Sequence, residues 1–154
     1  MALTFLPIPT GTARALRDGP DAYGLPPERI GASDGIATPC RHCLAQVPEG
    51  QPYLIAAHRP FCGLNPYTET GPIFLCAAEC VPGGPGFPTR MLTAPSYIVR
   101  GYTADERILY GTGSVVATSD IPARCEALFQ DDRIAFIHIR SASNNCFQCR
   151  VERA

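Results

Sequence analysis

Two Cys-x-x-Cys pairs, Cys40-Arg41-His42-Cys43 in the first third of the chain and Cys146-Phe147-Gln148-Cys149 at its end, constrain the fold more than any other feature. Four thiols in two close pairs are the donor set of a tetrahedral zinc ion. One ion held by Cys40, Cys43, Cys146 and Cys149 requires the intervening chain to fold back until its ends meet. The spacing carries its own geometric condition. Residues three apart on an extended strand point to opposite faces, so Cys146 and Cys149 share a metal only if a tight turn at Asn144 and Asn145 opens the closing strand. The alternative is that they straddle that strand, one buried and one exposed, with Cys40 and Cys43 as ordinary loop thiols. Cys76 and Cys80, four residues apart, form a looser third pair that either replaces one of the other two or binds nothing. Cys76 follows the apolar run at Phe74 and reads as a core residue. Cys62 and Cys125 read as structural.

At 154 residues the chain has the size of one domain and can bury about two thirds of its unfolded surface. Its 16 prolines and 14 glycines favour turns over long helices. A formal net charge of −1, with no basic run and no acidic tail, lacks the footprint that phosphate backbones select, so no nucleic-acid partner is expected. Residues 1–9 lack a basic leader and a cleavage site, and no segment has the length of a membrane crossing. The expectation is a cytoplasmic protein without a membrane partner, its small-molecule or protein partner unknown. In a reducing compartment the eight cysteines read as metal ligands, buried hydrophobes or reactive thiols; export would favour disulfides instead.

Residues 2–8 form a candidate strand, and Thr10 or Thr12 can cap a short helix that Gly19 and Pro20 end. A strand is expected at 28–32. The turn residues Ser33, Asp34, Gly35 and Pro39 then deliver Cys40 on a loop. Residues 51–58 suit a strand covered on both faces, and 73–76 a short apolar one. The stretch 82–88, rich in glycine and proline, discourages both helix and strand. Segments 96–103 and 107–118 read as a hairpin at the centre of the sheet. Ser119 or Asp120 caps a helix with Pro122 in its first turn and Cys125, Leu128 and Phe129 facing inward. Strands at 133–140 and 147–152 close the chain. The fold class is α+β, a mostly antiparallel β-sheet with two short helices and long Pro/Gly-rich loops in one domain, 1–154.

If Arg140 pairs with Phe147 across the last hairpin, His138 falls opposite Cys149 and sets an imidazole beside a thiol. That arrangement suits a mixed zinc site or an activated nucleophile, with Cys146, His138, Arg41 and Arg150 as candidate catalytic residues. His42, inside the first pair, can orient a metal site or be solvated, and His58 is expected to be solvated. Arg41, Arg140 and Arg150 flank the same cysteines and would make a positive pocket able to lower a thiol pKa or hold a carboxylate or phosphate. Gly83-Gly84-Pro85-Gly86 is no phosphate loop, since it has neither a Lys-Ser/Thr end nor a helix after it. Three functions follow: a structural zinc site joining the 40–43 loop to the C-terminal hairpin, a thiolate enzyme of redox or acyl chemistry, and a binding module presenting Phe87 on the 82–88 loop.

Pro39-Cys40-Arg41, Gly71-Pro72-Ile73-Phe74, Ala135-Phe136-Ile137-His138, and Cys146-Phe147 with Arg150 three residues on stand in one order along the chain. Together they resemble the bacterial domain-of-unknown-function family 1203. The resemblance implies a single compact domain and draws attention to Cys40, Arg41, His138, Cys146 and Arg150; it brings no established activity. Where the family pattern has Gly-Glu before the second strand, this chain has Gly50-Gln51, so no acid is expected to act there.

Overall fold

A computed structural model describes residues 2–154, with two short α-helices and ten strands in two five-stranded sheets. The strands are β1 (Leu3–Leu6), β2 (Glu28–Ile30), β3 (Pro39–Cys40), β4 (Ala45–Gln46), β5 (Tyr53–His58), β6 (Gly71–Cys76), β7 (Ser96–Tyr102), β8 (Ser114–Ala117), β9 (Phe136–Ser141) and β10 (Phe147–Arg153). Sheet 1 runs β1-β10-β9-β7-β8 and sheet 2 runs β2-β5-β6-β3-β4. Every named pairing is antiparallel except β3 with β6. The α+β class holds, with the strands divided between two sheets.

The centre of sheet 1 is β9, not the 96–118 hairpin. All of Phe136–Arg140 is buried, whereas β8 is an edge strand with Val115 64% exposed. The return arm of that hairpin is also shorter than its β-branched run suggests. Gly111 takes φ +88, a left-handed conformation that breaks the strand, and the Thr112 hydroxyl accepts from Gly101 N–H at 3.0 Å in place of a ladder bond.

Helix α1 (Thr10–Asp18) buries Ala13 and Leu16 on one face and ends at Gly19, whose φ of +72 suits the left-handed exit. Its N-terminus has no side-chain cap, because the N-cap position is Pro9, which has no side-chain acceptor, and the Thr10 hydroxyl inside the first turn is engaged with His42. Helix α2 (Ile121–Leu128), with Pro122 in its first turn, buries Ile121, Cys125 and Leu128, and Phe129 follows them into the core. These residues pack with Val99, Ile137, Ile139, Cys149 and Val151 of sheet 1. A second core gathers α1 with Cys40, Val47, Leu54, Ile73, Leu75 and Phe147.

The 82–88 loop is irregular, as its composition requires, but it does not present Phe87. That ring is partly buried against the first core and meets Phe5 edge-to-face at 5.3 Å. Backbone bonds hold the loop on both sides, from Gly83 N–H to His42 O at 2.9 Å and from Phe5 N–H to Pro85 O at 2.8 Å. The crossing is close enough that a Cβ on Gly83 would overlap the Cys43 carbonyl and the Leu44 side chain. Gly83→Ala is therefore expected to cost about 1–3 kcal/mol, the range of an overpacked site, read as a lower midpoint in urea unfolding.

Candidate metal centre

The β3–β4 hairpin turns within residues 41–44, and Leu44 takes φ +54 to close it. Cys40 ends β3 and Cys43 sits in the turn, the knuckle that two thiols three residues apart need in order to face one point. β3 pairs in parallel with β6, Cys40 opposite Phe74, which brings the end of β6 and the chain after it alongside the knuckle. The Sγ atoms of Cys40, Cys43, Cys76 and Cys80 consequently lie within 4.8 Å of one another, with Cys40 and Cys80 at 3.9 Å. A tetrahedron of sulfurs about 2.3 Å from a zinc ion has edges of about 3.8 Å. The cluster thus has the size and donor chemistry of a metal site built from four thiolates.

The second pair expected to complete this site lies elsewhere. Cys149 is fully buried in the first core with Cys125, where desolvation pushes its thiol up, as it pushes Cys125 up to about 12. Cys146 is half-buried on the turn before β10, its Sγ 3.6 Å from Asn144 O. Phe147 and Cys149 are paired with β9 along an extended strand, not folded into a knuckle, so these thiols do not converge with Cys40 and Cys43. The looser Cys76/Cys80 pair takes their place.

Around the sulfurs stand N–H donors. The Cys76 backbone N–H donates to Cys40 Sγ at 3.3 Å, and Arg17 Nη2 to Cys80 Sγ at 3.3 Å. His42, fully buried, has Nδ1 3.1 Å from Cys80 Sγ and Nε2 2.9 Å from Thr10 Oγ1. With Cys80 as a thiolate, Nδ1 would carry the proton, and the imidazole would donate to sulfur and accept from the threonine hydroxyl. Cys40 is the first of the four to ionise, its thiol pulled down by hydrogen bonds from Cys43, Cys76 and Cys80 to its thiolate. The same bonds, with the charge on Cys40, push Cys76 and Cys80 up. All four would be thiolates only with a cation among them.

His138 and Cys149 are not neighbours. Phe147 does pair with Arg140, but a β-bulge between Phe147 and Cys149 shifts the register, placing Cys149 opposite Ile139 and Arg150 opposite His138. His138 packs instead among Phe61, Tyr102, Phe136 and Phe147, with ring centroids 4.9–5.2 Å away, and neither ring nitrogen has a hydrogen-bond partner. The expected positive pocket is likewise divided. Arg140 and Arg100 meet Glu69 at 3.1 and 3.2 Å, and Arg150 pairs with Glu152 and lies 3.7 Å over the Phe136 ring. Arg41 points the other way, donating from Nε to Phe147 O at 2.7 Å and from Nη1 to Pro39 O at 2.6 Å. Burial lowers Arg41 to about 10, which leaves it charged at neutral pH. His58 is half-buried near Phe147, not solvated, and desolvation with the nearby Arg41 charge lowers it to about 4.

Desolvation, then the charges of Arg140, Arg150, Arg100 and His58, holds His138 well below the usual imidazole value. Above the unfolded pKa of about 6.5 this has no effect on stability. As pH falls below it the unfolded chain takes up a proton that the folded one refuses, and stability is lost at about 1.4 kcal/mol per pH unit. Urea unfolding at pH 7.5 and 5.5 should therefore show a loss smaller by about 1.4 kcal/mol in His138→Phe than in the wild type.

The family model described as Protein of unknown function (DUF1203) matches residues 37–153, a span that begins just before the knuckle and includes all four clustered cysteines. No curated protein and no solved structure matches the chain. With well over half of its length matched in one register, the chain belongs to the DUF1203 family.

Proposed function

We propose that the four-cysteine cluster holds one zinc ion with a structural role. The convergence of four Sγ atoms within 4.8 Å carries this reading. Three features support it. The donors are all sulfur, the combination that suits zinc among the common divalent ions. Four protein ligands complete a tetrahedron and leave no position for water or substrate, so the ion would hold structure and not perform chemistry. The ligands come from the β3–β4 turn, the end of β6 and the loop after it, and the sulfurs receive bonds from α1 through Arg17 and from His42. The ion would reinforce the joint between the β3–β4 turn and the end of β6, linking the turn to β6 and not to the C-terminal hairpin.

Reduced cysteines at the cluster fit a reducing compartment, so the reading includes a cytoplasmic location. No helix is long and apolar enough to cross a membrane.

Elemental analysis of protein purified without added metal tests the proposal. One zinc per chain is expected, retained in Cys146→Ser and Cys149→Ala and lost in Cys40→Ser or Cys80→Ser. Zinc that follows Cys146 instead, or iron in its place, would overturn it. Removing the ion with a chelator should lower the melting temperature by about 5 °C or more, since ligand binding to the folded state alone is folding free energy.

A further inference from the structure

Arg41 is a buried cation with no carboxylate partner. Its side chain belongs to a residue only 3% exposed, and among the described residues no carboxylate lies within 4.0 Å of it. The other deeply placed arginines differ: Arg100 and Arg140 share Glu69, and Arg17 reaches Glu79. Arg41 is met only by the neutral carbonyls of Phe147 and Pro39 and by the Phe74 ring, 5.7 Å from its guanidinium carbon. Those bonds use Nε and Nη1 and leave Nη2 without a protein acceptor. Burying a full charge against dipoles alone is unfavourable, and a neutral side chain would make the same packing at lower cost.

The guanidinium lines a cleft of about 390 Å³ where the two sheets meet, between the β3–β4 hairpin and β6 on one side and β7 and the β9–β10 turn on the other. Arg41 is the one charged side chain among the described residues around it. Ile73, Phe74 and Met91 supply apolar walls, while Gln148 and Cys146 supply polar ones. A site with one uncompensated positive charge, no acid and an apolar lining selects a ligand with one negative charge and an apolar body.

We propose that this cleft binds a small organic monocarboxylate, its carboxylate paired with Arg41 and its hydrocarbon against Phe74 and Met91. A dianion such as phosphate would bring charge that the cleft does not match. Its readout, the reactivity of Cys146, is separate from that of the metal reading, which is a zinc count.

Cys146 lines the same cleft and reports on it. Its thiolate displaces iodide from iodoacetate or iodoacetamide, forming a C–S bond as the C–I bond breaks, and the two reagents differ in carrying a carboxylate or a neutral amide. In native protein as purified, peptide mass spectrometry is expected to give an iodoacetate-to-iodoacetamide rate ratio at Cys146 about tenfold above that of the same thiol in the urea-unfolded chain. Hexanoate at about 20 mM, well above the millimolar Kd of a weak ion pair with a short chain, should slow both reagents at Cys146, and hexanamide should not. Arg41→Gln should return the ratio to its unfolded value. Because that variant bears on packing as well, the hexanoate comparison on wild-type protein decides the matter without it. Equal ratios in native and unfolded protein with no protection by hexanoate would overturn the proposal, as would protection by inorganic phosphate alone.

Discussion

A single parallel contact between two short stretches of backbone organises the molecule. β3 is two residues long, yet Cys40 lies opposite Phe74 on β6 and the Arg41 N–H donates to Phe74 O at 3.1 Å, while the Arg41 carbonyl accepts from Ile8 N–H at 3.0 Å. The N-terminal segment, the knuckle and β6 are thereby joined at one point. Cys40 ends β3 and Arg41 opens the turn after it, and their side chains leave this point in different directions. Cys40 turns toward Cys76 and Cys80, and Arg41 turns toward sheet 1, where it bonds Phe147 O. The sulfur cluster and the cationic cleft thus grow from two adjacent residues at one strand end.

The way the fold treats its buried polar groups separates structural sites from sites that await something. Cys125 and Cys149 are buried in apolar surroundings that keep them neutral, and they behave as small hydrophobes. Cys40 is buried as deeply but among hydrogen-bond donors, so its thiolate is favoured. His138, surrounded by aromatic rings and arginines, is held neutral. Arg140 and Arg100 have Glu69. Two buried groups stand apart: four thiols that converge on one point, and Arg41, which no carboxylate meets among the described residues.

Much of this arrangement is legible in the residues. The two short helices, the strands at 53–58, 71–76 and 136–141, and the pairing of Arg140 with Phe147 follow from hydrophobic periodicity and from turn residues at the right places. Cys40 and Cys43 as partners in a knuckle also follow, since spacing and turn act within four residues. The departures have a common origin. A bulge at Gln148 moves the register by one and turns His138 away from Cys149, and no residue type there marks it. Glycine and proline around Phe87 predict an exposed ring, but Phe5, distant in sequence, covers it.

The chain alone specified its two helices and most of its longer strands, a turn at Cys40 and Cys43, and the presence of enough thiols for a metal. Those are local matters, decided by backbone preference and by the period of apolar residues. Which second pair of sulfurs meets the first depended on β3 lying beside β6 and not beside β10, and the isolation of Arg41 depended on where Glu69 and Glu79 were left by the two sheets. Such choices are made by packing between distant segments, where the burial of whole faces outweighs any preference that four cysteines or one arginine could express in sequence.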